Sequence, residues 1–147
     1  MTTDGYHVYL QANIELPEDI EATLENRADG VGLFRTEFLY MNRAEPPDEE
    51  EQLDVYLSAV KGLNGRPITI RTLDLGVDKT TGNISESGCL PAINPALGLR
   101  AIRLCLKEPD LFLPQLRAIL RASAEGPVRL MIPMLSGMQE LNEVLNL

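Results

Sequence analysis

The 147 residues are enough for one domain with a buried core, and an apolar fraction of 44% beside 24% charged residues argues against global disorder. The net charge of −9, from 13 basic and 22 acidic residues, argues against a nucleic-acid binder or a protein held on an anionic membrane, because both meet phosphates with basic surface. An acidic chain can still bind an anion through a local basic site, so the placement of individual arginines carries more information than their total.

Tyr6 to Leu16 alternates loosely through Val8, Leu10, Ala12, Ile14 and Leu16, which predicts a first strand. Pro17, Glu18 and Asp19 then open a short helix, with acids where the helix dipole favours them. Leu16, Ile20 and Leu24 recur four residues apart and are expected to face the core. Asp29-Gly30 ends that helix and releases a second, apolar strand that runs into Arg35. Strand, helix and strand joined by short connections predict a parallel sheet built by crossovers.

A polar loop continues to Pro47. Asp48 with Glu51 has the spacing of a capping box, and the helix it starts carries Leu53, Tyr56, Leu57 and Val60 on one face before Gly62 or Gly65. Pro67 to Leu73 reads as the third strand. Asp74 to Pro91 is a long loop rich in Gly, Ser, Thr and Asn. Asn94-Pro95 then caps a helix expected to run to Lys107, with Leu97, Ala101, Leu104 and Leu106 inward. Pro109 ends it. The next helix is expected from about Asp110 to Ala124, with Leu113, Leu116 and Leu120 inward, and Pro127 to Met134 is the fourth strand. Ser136 with Gln139 is read as another capping box. Four strands, each followed by a helix, predict an α/β fold, either an open doubly wound sheet or a barrel. No glycine-rich turn of the dinucleotide or P-loop kind is present.

Two strands end alike. Gly30-Val31-Gly32-Leu33-Phe34-Arg35-Thr36-Glu37 and Ile68-Thr69-Ile70-Arg71-Thr72-Leu73-Asp74 each carry apolar residues into Arg-Thr and then an acid. The C-terminal edge of a parallel sheet is where such folds keep their chemistry. A guanidinium is always charged and forms paired hydrogen bonds to phosphate or carboxylate, so Arg35 and Arg71 together suit a small dianion or trianion. The competing reading is structural: each arginine pairs with a neighbouring acid, Glu37 or Asp74, at the rim.

Cys89 and Cys105 have no metal-ligand spacing and are too few for a disulfide framework, which predicts reduced thiols in a cytoplasmic protein. The first residues are polar and lack the apolar run of an export signal, and no apolar stretch approaches the length of a membrane span. His7, the sole histidine, precedes the first strand without an orienting partner and reads as an incidental surface residue.

The segments GVGLFRTEFLYMNR (30–43), ITIRTLDLGVDK (68–79), NPALGLRAIRLCL (94–106) and QLRAILRASAEGPVRLMIPML (115–135) resemble the phosphoenolpyruvate-utilising enzymes. Within that family they are most similar to the C-terminal domain of enzyme I of the bacterial sugar phosphotransferase system. Pyruvate phosphate dikinase and phosphoenolpyruvate synthase share the family. The resemblance implies a (β/α)8 TIM-type barrel that binds phosphoenolpyruvate (PEP) with Mg2+, in an enzyme that passes the phosphoryl group to a histidine on another domain and on to a phosphocarrier protein. It assigns Arg35 and Arg71 to the substrate's phosphate and carboxylate, with Lys79 and Arg100 as weaker candidates for the same anion. For Arg100 the rival is an ion pair on a helix surface. Arg103, Arg117, Arg121 and Arg129 are expected to be solvated or structural. Val77 stands where the family usually has a second glycine.

A barrel of this kind takes about 250 residues. By the resemblance, residues 1–147 are the N-terminal half of the PEP-binding domain, about four βα units. The family's Mg2+-binding acids, a further substrate arginine and the cysteine that protonates enolpyruvate would all lie beyond the fourth strand. No catalytic residue and no metal ligand is therefore expected in this chain, and alone it is expected to be inactive. A half barrel exposes two sheet edges, so self-association is also expected. The alternatives are a half-domain that binds or regulates without turnover, or a fragment of a dikinase-like or synthase-like enzyme.

Overall fold

A computed structural model describes residues 1–76 and 98–147. Strand β1 (Gln11–Ile14) is followed by helix α1 (Asp19–Glu25), β2 (Gly30–Arg35), a 3-10 turn (Glu37–Tyr40) and α2 (Glu49–Gly62). Then come β3 (Ile68–Arg71), α3 (Ile102–Lys107), α4 (Pro109–Ala122), a second 3-10 turn (Ser123–Glu125), β4 (Val128–Met131) and α5 (Met138–Leu145). The four strands form one sheet in the order β1-β2-β3-β4, and every pair is parallel. A doubly wound sheet reverses its strand order at a switch point, whereas a barrel adds each strand beside the last. The unreversed order is that of a partial TIM barrel.

Alternation along the strands sorts side chains between the two faces of the sheet. Val31, Phe34, Ile68 and Ile70 are fully buried in one cluster with Tyr56, Leu63, Ile102, Leu104 and Phe112 from the loops and helices. Thr69 and Arg71 alternate with Ile68 and Ile70, and so stand on the opposite face, the barrel's interior. Small residues on the facing sides of α2 and α4, Ala59, Ala118 and Ala122, are fully buried and let the two helices approach closely.

Several expectations need correction. β1 is shorter than read, because Tyr6 to Leu10 is exposed and only Gln11 to Ile14 pairs with β2. Leu16 is exposed while Ile20 is buried, so the predicted stripe of α1 holds only in part. In α4 the buried positions are Leu111, Phe112, Gln115, Ala118, Ile119 and Ala122, and Leu120 is 65% exposed. The buried face combines Leu111, Phe112 and Ile119 with a glutamine and two alanines, and it is rotated from the expected stripe of Leu113, Leu116 and Leu120.

Asp48 caps α2 by accepting the Glu51 N–H at 2.8 Å, but the Glu51 carboxylate turns instead to Arg43, at 2.8 and 3.0 Å. At α5 the residue that reaches back is Glu140, not Gln139; it accepts the Ser136 N–H at 2.7 Å. The expected continuous helix up to Lys107 is also interrupted. Gly76 and Arg100 form an antiparallel bridge, Ala101 donates its N–H to the Leu75 carbonyl, and helix begins only at Ile102. The expected cap at Asn94-Pro95, together with Leu97 and Val77, lies outside the described residues.

Gly30 fixes where β2 starts. A Cβ there would stand 2.4 Å from the Pro67 carbonyl oxygen, the atom that accepts the Val31 N–H at 2.8 Å. Gly65, at φ +84°, has nothing within 4 Å of its would-be Cβ. Gly30→Ala should therefore lower unfolding free energy in urea by more than ~2 kcal/mol, the range of core overpacking. Gly65→Ala should cost only about 1 kcal/mol, the left-handed backbone term alone. Equal losses would show that the close approach to Pro67 sets nothing.

Candidate functional site

β2 and β3 run side by side with Arg35 opposite Arg71, so both strands deliver an arginine at the same C-terminal edge. The residues just after each arginine tie the two loops together. The buried Thr36 hydroxyl donates to the Arg71 carbonyl at 2.9 Å. Glu37 opens the 3-10 turn, and its Oε1 accepts both an Arg71 guanidinium N–H at 2.8 Å and the Asp74 backbone N–H at 3.1 Å. Asp74 in turn accepts from Arg100 at 2.7 Å and lies 3.6 Å from the other Arg71 amino nitrogen.

The result is an alternating row, Glu37, Arg71, Asp74, Arg100, with side chains only 14 to 30% exposed. Its charges balance. The Nε–H groups of Arg71 and Arg100 are both buried and have no hydrogen-bond partner among the described residues. Unpaired charge-bearing donors of this kind are costly, and they mark a place where a further acceptor is favourable.

The sequence-predicted residues do not all meet. Arg71 and Arg100 converge on Asp74. Arg100 does so from a strand-like bridge and not, as its rival reading had it, from a helix surface. Arg35 turns the other way, toward β1, where it donates to Glu15 at 2.5 Å and to Asn13 at 3.2 Å, in an open cleft of about 620 Å³ between β1 and α1. Lys79 lies outside the described residues. The acids named in the structural reading do pair with Arg71, whereas the partner of Arg35, Glu15, carries no motif that would have announced it. His7 is exposed and lies 3.8 Å from Asp29. Arg121 pairs with Glu49 and Glu50 at the exposed N-terminus of α2.

Sequence reasoning named Thr36 and Tyr56 only as parts of a motif and a helix face, and it gave no role to Tyr40, Gln52 or Gln115 beneath this row. Thr36, Gln52, Tyr56 and Gln115 are essentially inaccessible, and Tyr40 nearly so. Tyr40 and Tyr56 both donate to Gln52 Oε1, at 3.0 and 3.1 Å, and burial pushes both phenols well up, so each keeps the proton it donates. The only signal available was the appearance of Gln at positions that a helical period would otherwise give to core.

Among the described residues no group of three or more His, Cys, Asp or Glu side chains is placed to hold a metal ion. No helix among them is long and apolar enough to cross a membrane.

Comparison with known proteins matches residues 1–147 to the family described as PEP-utilising enzyme, PEP-binding domain. Among curated relatives, the phosphoenolpyruvate-protein phosphotransferase of Cupriavidus necator is 54% identical over 151 residues, covering 100% of this chain and 25% of the relative. Those of Staphylococcus carnosus and Geobacillus stearothermophilus are each 48% identical over 144 residues, covering 97% of this chain and 24% of the relative. The chain thus spans about a quarter of the length of these relatives.

Cys105 takes no part in the row and lies in α3, 1% exposed, and Cys89 is outside the described residues. Burial pushes the Cys105 thiol up to about 12. At pH 8 it should resist iodoacetamide in the native chain and react after denaturation, as read by peptide mass mapping. The unfolded thiol ionises near pH ~8.5, while the folded one keeps its proton. The stability this gives is therefore present below that pH and is lost as pH rises toward the folded value. Rapid native labelling at Cys105 would contradict the packing of α3.

Proposed function

We propose, for a chain that belongs to the PEP-utilising enzyme family through its PEP-binding domain, that residues 1–147 form the N-terminal half of a (β/α)8 barrel and its first grip on PEP. The observation that carries this reading is the pair of half-buried arginines, Arg71 and Arg100, each with an Nε–H that no described residue accepts. PEP offers a phosphate and a carboxylate on a small rigid frame. Arg71 is the fixed contact, Arg100 shares its anion, and Arg35 joins from the β1 side on leaving Glu15. Lys79 belongs to the same proposal from the loop after β3.

The parent reaction is phosphoryl transfer from PEP to a histidine on another domain of a phosphoenolpyruvate-protein phosphotransferase, and from there to a phosphocarrier protein that serves sugar uptake. In such a reaction the protein contributes mainly positioning and charge stabilisation. Arginines that neutralise the transferring group match that demand. Mg2+ in the complete domain would neutralise phosphate charge further. By this reading the chain alone grips PEP without turning it over, acts in the cytoplasm, and self-associates through the free edges of β1 and β4, the two outer strands of the sheet.

Titration of PEP into the wild-type chain and into Arg71→Ala tests the assignment. Loss of a charge-assisted contact should weaken binding by about tenfold or more. Equal binding by both would overturn the role of Arg71. In sedimentation velocity the chain should show concentration-dependent association. A monodisperse monomer at every concentration would remove the edge-pairing part of the proposal.

A further inference from the structure

We propose that Gln115, on α4, is a positioning residue for the anion site, holding the Arg35–Glu37 loop and the Arg71–Asp74 loop in one relative register. Its side chain is fully buried, and its hydrogen bonds go to neither arginine. Oε1 accepts the Leu73 backbone N–H at 2.9 Å, and Nε2 donates to the Thr36 hydroxyl at 3.1 Å and to the Tyr56 hydroxyl at 3.2 Å. Thr36 passes its own proton to the Arg71 carbonyl. One side chain therefore binds the residue after Arg35 and the second residue after Arg71, from a helix distant in sequence.

Proton bookkeeping gives the arrangement a single direction. The Gln52 amide donates to the Pro47 carbonyl at 3.1 Å, which leaves its Oε1 to accept from Tyr40 and Tyr56. Tyr56, having spent its proton on Gln52, can only accept from Gln115. Thr36, having spent its proton on the Arg71 carbonyl, likewise accepts from Gln115. The position thus needs two donors and one acceptor at once, which a glutamine supplies and a glutamate, methionine or leucine does not. A glutamate would set a buried carboxylate oxygen against two oxygens whose protons are committed elsewhere.

The consequence for the site lies one bond further on. Glu37 follows Thr36, Asp74 follows Leu73, and the Asp74 N–H reaches Glu37 at 3.1 Å although the hydrogen bonds of Gln115 go to neither residue. Protection of the Asp74 amide therefore reports whether the two loops keep their register.

The test is amide hydrogen exchange by NMR on the 147-residue chain as wild type, Gln115→Met, Thr36→Val and Thr36→Ser, with PEP titration of each. The amides of Val31 and Ile68, held by the Pro67 and Pro127 carbonyls, serve as the strand reference. Relative to that reference, Asp74 exchange should quicken about tenfold in Gln115→Met and Thr36→Val, the scale of one lost buried hydrogen bond. Thr36→Ser, which keeps the hydroxyl, should return it to near the wild-type rate. A uniform rise at all amides, or no change at Asp74, overturns the positioning role. If Gln115→Met does not fold, the Thr36 pair decides alone.

The affinity arm rests on the proposed PEP reading, and there the two substitutions that break the register should weaken PEP binding while Thr36→Ser does not. A wild-type chain that binds no PEP but shows the Asp74 pattern would overturn that reading and leave the positioning role standing. Unweakened PEP binding with a displaced Asp74 amide would overturn the link between register and grip.

Discussion

The parallel pairing of β2 with β3, in the register that sets Arg35 opposite Arg71, is the constraint on which the rest depends. Parallel strands place both C-termini at one edge, but they need a crossover, and α2 supplies it. The register is pinned at both ends. At the start, the bare Cα of Gly30 lets Val31 reach the Pro67 carbonyl. At the finish, the Thr36 hydroxyl takes the Arg71 carbonyl. A slip of one residue would turn Arg71 toward the helix layer and Ile70 toward the interior, which the burial of Ile68 and Ile70 forbids.

Within that frame the chain carries a charge-balanced row of two arginines and two acids. Arg71 and Arg100 are too enclosed to stand uncompensated, and Glu37 and Asp74 neutralise them from the same loops. Pairing of this kind is not a strong source of stability, because desolvation offsets most of the Coulomb gain. Its value is geometric: the acids hold two guanidinium groups in place while their buried Nε donors stay without an acceptor among the described residues. An anion that reached those donors would add to the row without dismantling it. Glu37 accepts from both Arg71 and the Asp74 backbone, so it braces the loop as well as balancing charge.

The sequence carried the strands and helices well, and for a physical reason. β2 is a continuous apolar run and β3 sets Thr69 between two isoleucines, each lies between turn residues, and the stop at each arginine is abrupt. The cap at Asp48 was equally plain. Less visible was anything whose role comes from packing. The buried face of α4 sets Gln115, Ala118 and Ala122 among Leu111, Phe112 and Ile119, while Leu120 of the expected stripe is exposed, so following the leucines alone selects the wrong stripe. Glu15 as the partner of Arg35 follows from β1 lying beside β2, a tertiary fact that no local pattern contains. The placement of Arg100 was missed for the same reason, since its bridge to Gly76 joins segments far apart in the chain. Its candidacy came from the family resemblance; its geometry comes from the fold.

The two arginines that look alike in sequence are unequal in the structure, and the difference bears on order of engagement. Arg71 is 21% exposed, braced by two acids and held at its carbonyl by Thr36. Arg35 is 42% exposed and its partner Glu15 more exposed still. An ion pair this open to solvent contributes between about 0 and 1 kcal/mol, little enough for an incoming anion to displace. Breaking the enclosed pair at Arg71 costs more, because the acids left behind are poorly solvated. On the proposed reading, Arg71 with Arg100 would be the preset seat, and Arg35, held only by its open pair with Glu15, would be the arm free to move toward an anion. That ordering rests on exposure, and the pair that would have to open, Arg35 with Glu15, joins the end of β2 to the residue after β1, the edge strand.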